Sequence, residues 1–144
     1  MARITTQGFE GWETAIEKIA SMPDDVAREI LDAQASVVIK EQKARAPRNT
    51  GKLASSVSAT KMKYNREGAR VMYVYPRGTH HTYRQYGTGK EIRVRNAEVG
   101  FIQEYGAPQK GIRATGWVSA ANAAAEDEAI AEAEKVLGEF LEQF

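Results

Sequence analysis

The feature that most constrains this chain is a change of hydrophobic period. Apolar side chains recur every three to four residues up to about residue 46, alternate one in two after Val57, and return to helical spacing from about Gly116. Helices bury a stripe and strands bury a face, so this order predicts an α+β fold. The expected architecture is a small antiparallel sheet of three to four strands packed against a long helix in the N-terminal half and a long C-terminal helix.

Phe9, Trp12, Ile16 and Ile19 predict a short amphipathic helix from about Phe9 to Ala20, ending before Pro23. Asp24 or Asp25 then opens a second helix with Val26, Ile30, Ala33, Val37 and Ala44 on one face, widened by Leu31 and Val38. It should stop before Pro47, because proline pushes the preceding residue out of the α region. Val57 to Tyr64 and Ala69 to Tyr75 read as two strands joined by the turn Asn65-Arg66-Glu67-Gly68. The stretch from Thr79 to Lys90 is polar and glycine-rich and reads as a mobile loop. Ile92 and Val94 alternate with Arg93 and Arg95, and Glu98 to Phe101 reads as a returning strand. The last helix carries Ala121, Ala125, Ile130, Ala133, Leu137, Phe140 and Phe144 along one face, with Ser119 as its cap. One domain, residues 1–144, accommodates all of this, with residues 1–22 as a possible N-terminal helical arm.

The formal charge is +1, but it is unevenly placed. Residues 1–39 hold three basic and seven acidic side chains, residues 40–95 fourteen and three, and residues 96–144 three and nine. A basic middle between acidic ends favours an anionic partner or charge-complementary packing between copies. There is no cysteine, which removes disulfides, thiolate metal sites and a cysteine nucleophile, and fits synthesis in a reducing cytoplasm. No apolar run approaches the eighteen or so residues of a membrane span, and no membrane partner is expected.

Tests for chemistry point away from an enzyme. Gly51-Lys52 and Gly89-Lys90 lack the earlier glycine and the following hydroxyl of a phosphate loop: Ala46 and Leu53 stand there in one case, Arg84 and Glu91 in the other. His80 and His81 are the only histidines, and neighbours on an extended segment point to opposite faces, so no metal site is expected. No Gly-x-Ser-x-Gly elbow presents a serine, and most carboxylates lie on helix faces rather than across a cleft. No catalytic residue and no cofactor is assigned. Tyr64, Tyr73, Tyr75, Tyr83 and Tyr86 interleave with the basic residues, a composition shared by single-stranded nucleic-acid platforms and by ordinary cross-strand packing. A stand-alone nucleic-acid-binding module is therefore the alternative reading, and an antitoxin-like regulatory partner a third.

Two blocks carry a family resemblance. Ala46-Pro47-Arg48-Asn49-Thr50-Gly51-Lys52-Leu53-Ala54-Ser55-Ser56-Val57 is locally a helix-to-sheet connector: proline ends the helix, Asn49 or Thr50 caps one turn, Gly51 supplies freedom, and Leu53 and Val57 are buried. The run resembles the Ala-Pro-x-x-Thr-Gly-x-Leu-x-x-Ser-hydrophobic signature of a family of long-tailed bacteriophage neck or tail-component proteins, named after the gene-ten product of phage HK97. Val99-Gly100-Phe101-Ile102-Gln103-Glu104-Tyr105-Gly106, then Arg113 to Trp117 and Ala120-Ala121-Asn122, resemble its second block. Ala107 and Gly116 stand where members commonly have threonine and proline.

The resemblance implies a structural subunit, with no catalysis, metal or cofactor. Copies would form a ring at the phage neck or tail end, in the virion after assembly and in the host cytoplasm before it. Other neck or tail proteins would be its partners, with duplex DNA passing through the centre. Pro47, Thr50, Gly51, Leu53, Ser56, Gly100, Phe101, Glu104, Tyr105, Gly106, Trp117 and Ala121 are the signature positions. Arg77, Arg84, Lys90, Arg93 and Arg95 are candidate DNA-channel or subunit contacts. The sequence leaves open whether acidic helices of one copy face basic strands of the next or the basic segment lines the channel.

Overall fold

In the computed structural model, which describes residues 16–143, two long antiparallel helices form the spine. Helix α1 spans Asp24–Arg45. It starts directly after Pro23, with Asp24 and Asp25 favourably placed in the first turn, and ends ahead of Pro47 with Lys43 and Arg45 in the last. A single turn, α2 (Lys52–Ser56), leads into β1 (Val57–Ala59), β2 (Lys63–Tyr64), β3 (Arg70–Val71) and β4 (Val74–Pro76). Strands β5 (Thr79–Arg84) and β6 (Glu91–Arg95) follow, then α3 (Asn96–Tyr105), a 3-10 turn at Pro108–Lys110 and α4 (Trp117–Glu142). The α+β class and the long flanking helices are as the sequence predicts. Of the expected N-terminal helix, residues 16–20 are helical, and the rest lies outside the described residues.

The strands form three two-stranded antiparallel ladders, β1 with β4, β2 with β3 and β5 with β6. The first two are one long hairpin interrupted where Thr60 hydrogen-bonds Tyr73 through both backbone and hydroxyl. Its turn is the predicted Asn65–Gly68: Asn65 Oδ1 accepts from the Glu67 and Ala69 amides, and Gly68 adopts φ 80°.

Several expectations are corrected. Thr79 to Arg84 is a strand of a second hairpin, not part of a loop; it pairs with β6 and is closed by a turn in which the Gln85 amide donates to Lys90 O. Its residues are exposed on nearly every side, so no burial pattern marked it. Glu98 to Phe101 is helical, because Glu98 accepts from the Arg95 amide and pairs with its guanidinium, starting α3 where a strand was expected. Ser119 lies inside α4, whose N-cap is Gly116 in the left-handed region at φ 62°.

The core is divided among three clusters. Ala46, Leu53, Val57 and Trp117 meet at the connector. Met22, Ala27 and Phe140 close the far end of the helix pair, and Val37, Ala125 and Ala129 its middle. Alanines let the helices come close, but the faces differ in detail from the predicted ones. Ala44 and Ile130 are exposed, while Ala27, Ala35, Gln42 and Ala129 are buried. Gln42 turns inward because its Nε2 donates to Asn122 Oδ1 across the helix interface.

Candidate assembly surface

The two signature blocks meet in space. Ala46 leaves α1 with extended geometry, Gly51 takes φ 78°, and the Lys52 amide donates to Thr50 Oγ1 at 3.4 Å. These steps reverse the chain so that Leu53 and Val57 drop into the core beside Trp117. Ser56 Oγ donates to Leu53 O at 2.7 Å and closes the turn. Pro47 is half-buried beside it.

Gly100 lets α3 press on this cluster. A Cβ there would stand 3.1 Å from Pro76 Cγ and 3.3 Å from Trp117 Cζ2. The indole N–H of Trp117 donates to Gly100 O at 3.2 Å, so the buried ring is both packed and polar-satisfied. One turn later, Glu104 accepts from the Val118 amide at 2.7 Å, the Ser119 amide at 3.3 Å and Ser119 Oγ at 2.5 Å. A carboxylate borrowed from α3 thus caps α4, where unsatisfied amides and the positive end of the helix dipole favour a negative charge. Burial opposes ionisation of Glu104, but the bonds from Ser119 and Val118 together outweigh it and hold its carboxyl below the ordinary value of 4.5.

Gly106 allows the next chain reversal. Its φ is 75°, and a Cβ would lie 2.7 Å from the Ala114 amide nitrogen and 2.9 Å from Ile112 O. The Thr115 amide and hydroxyl both donate to Gln103 O, locking residues 113–116 along α3. Between them, Ala107 and Ile112 exchange two backbone bonds. Ala121 is fully buried in the helix pair.

Two signature residues are not used inside. Phe101 and Tyr105 are 64% and 66% exposed, and their rings pack with centroids 4.7 Å apart on the outer side of α3. They border a shallow groove lined also by Tyr75, Ala97, Trp117 and Asn122. Spacing alone could not separate them from Gly100 and Glu104, because all four fall within two turns of one helix.

The candidate cations separate similarly. Arg77 is tied to the first hairpin through Ala59 O at 2.7 Å, and Arg95 pairs with Glu98 at 2.9 Å. Arg84, Lys90 and Arg93 are exposed on the second hairpin with no ion-pair partner among the described residues. Thr82 lies opposite Arg93 and Arg84 opposite Glu91, so these share a polar, mainly cationic face. Tyr83 opposite Ile92 and His81 opposite Val94 form the other. His80 Nδ1 lies 2.9 Å from Asn96 Oδ1 at the hairpin root. Among the described residues no group of histidines and carboxylates is placed to hold a metal, and no helix is long and apolar enough to cross a membrane.

The five tyrosines that interleave with the basic residues lie on two separate hairpins. Tyr64 donates its hydroxyl to Asp24, and Lys63 sits over the ring of Tyr73. Sequence reasoning missed the Asp24 to Arg70 ion pair at 2.9 Å and the Arg70 bond to Met22 O at 2.7 Å. No local spacing signals a contact across 46 residues of chain.

Neither a curated protein nor a solved structure matches the chain. A family model described as "Bacteriophage HK97-gp10, putative tail-component" matches residues 13–87. That span covers more than half of the 144 residues and contains the Pro47 to Ser56 connector; the Gly100 to Ala121 block lies beyond it. The chain belongs to the HK97-gp10-like family of bacteriophage tail components.

Proposed function

We propose that this tail component is a structural, non-catalytic subunit that self-associates into a ring and acts in head–tail joining or tail assembly. Other neck or tail proteins of the phage are its partners, and the virion its final location after assembly in the host cytoplasm. The signature residues divide the work. Pro47, Thr50, Gly51, Leu53, Ser56, Gly100, Glu104, Gly106, Trp117 and Ala121 set the scaffold, and Phe101 and Tyr105 face partners. Residues 1–144 act as one domain.

The observation that carries this reading is the Phe101–Tyr105 pair, two large rings in tilted contact, about two-thirds exposed beside a groove. Interfaces are enriched in aromatic residues at their centres, and a monomer gains nothing from leaving two such rings wet. Sedimentation of the purified chain over a range of concentrations tests the proposal, together with mixing against the neck and tail proteins of the same phage. A defined oligomer is expected. A chain that stays monomeric throughout and joins none of those proteins would sink the reading.

A further inference from the structure

The second hairpin is an arm in search of a surface. Two-stranded hairpins are marginal alone in water, yet β5 and β6 are exposed along most of their length and are tethered chiefly where they meet α3. Residues 79–95 carry Arg84, Lys90, Arg93 and Arg95 against Glu91 alone. The rest of the basic middle is partly used at home, since Arg70 answers Asp24 and Arg77 holds the first hairpin. The arm's cations beyond Arg95 are not.

The complementary surface lies on α4. It carries Glu126, Asp127, Glu128, Glu134, Glu139 and Glu142 at exposed positions, with half-buried Glu132 and one lysine, Lys135. At about 100° per residue Asp127 and Glu134 lie directly opposite the buried Ala121, Ala125 and Ala129, and the other acids on the flanks. None of these acids forms an ion pair among the described residues. The arm's own copy is badly placed to answer them. The arm joins the body through α3, which packs at the Trp117 end of α4, whereas the acids run toward the Phe140 end that packs on Met22 and Ala27. A six-residue strand reaches about 20 Å, and the acids from Glu126 to Glu142 extend over about 24 Å of helix. The two surfaces match in sign and in length.

Resting on the self-associating reading above, we infer that the β5–β6 arm of one copy lies on the outer face of α4 of the next, with Arg84 and Arg93 facing Asp127 and Glu134. The two surfaces are different parts of the molecule, so the contact is heterologous and propagates head to tail, closing into a ring where the rotation permits. Duplex DNA would satisfy the arm alone, leaving seven acids on α4 without a partner and repelled by phosphate.

Paired charge reversals test this. Arg84→Glu with Arg93→Glu, and separately Asp127→Lys with Glu134→Lys, are exposed changes, and circular dichroism checks that each variant is folded. Each alone is expected to raise the concentration for half-association by about tenfold or more, and mixing the two variants is expected to restore it. Wild-type association should also weaken with added salt. Assembly unchanged in both variants would overturn the inference and leave the self-associating reading standing. So would an arm variant that still assembles but loses salt-dependent binding to a duplex oligonucleotide. A wild-type chain that is monomeric alone overturns the inference, and the reading is then decided by mixing with the neck and tail proteins.

Discussion

Glu104 shows how one side chain fixes the relation between two helices. Its carboxylate takes three hydrogen bonds from the first turn of α4 while sitting 8% exposed. Glu104→Gln keeps the shape and one acceptor oxygen but loses the charge, so it should lower stability by about 1–3 kcal/mol at neutral pH. The pH dependence has a definite sign. The folded-state pKa is depressed below 4.5, so the stabilisation is fully present above that value and is lost as pH falls through the lower folded value. Thermal melts of the two proteins should therefore differ most near neutrality and converge in acid; a gap that persists unchanged in acid would mean that the carboxylate's charge contributes nothing. The sequence singles out Glu104 only through the resemblance of its run, and that says nothing of its job. The serine it binds reads locally as the cap of its own helix, and only the fold brings a residue fifteen positions earlier into that place.

Among the elements, burial decided which were legible. The α1 boundaries follow from Asp24 and Pro47, and the Asn65–Gly68 turn from its own side chains, because these signals are local. The β5–β6 hairpin is only half marked: Ile92 and Val94 alternate with arginines along β6, but β5 lies against water on nearly every side and reads as loop. The same fact predicts how little the monomer depends on it. Thr82 and Arg93 are direct partners, so residues 83–92 can be replaced by an Asn-Gly turn without changing register. Urea unfolding of that variant should show a loss of no more than about 1 kcal/mol, in the range of surface changes away from the core. A much larger loss would mean that the arm belongs to the folding unit and is not a projection from it.

The molecule as a whole is built on a helix pair whose inner and outer sides differ in kind. The inner face of α4 is small: Ala121 and Ala125 are fully buried against α1, and Ala129 nearly so. Close helix approach leaves no room for a larger side chain. Ala125→Leu should therefore force the helices apart or strain the inserted rotamer, at a cost of about 1–3 kcal/mol. The outer face, with Asp127 and Glu134, has no neighbours to crowd, and reversing its charges should leave the melting temperature nearly unchanged. Assembly should respond in the opposite order. The buried change, in a chain still folded at the assay temperature, should associate as wild type does, whereas the outer reversals should not. Melting curves and sedimentation on the same two proteins separate these outcomes. Should Ala125→Leu abolish association without unfolding the chain, the spacing of α1 and α4 would itself be part of the interface, and the two faces of α4 would not act independently.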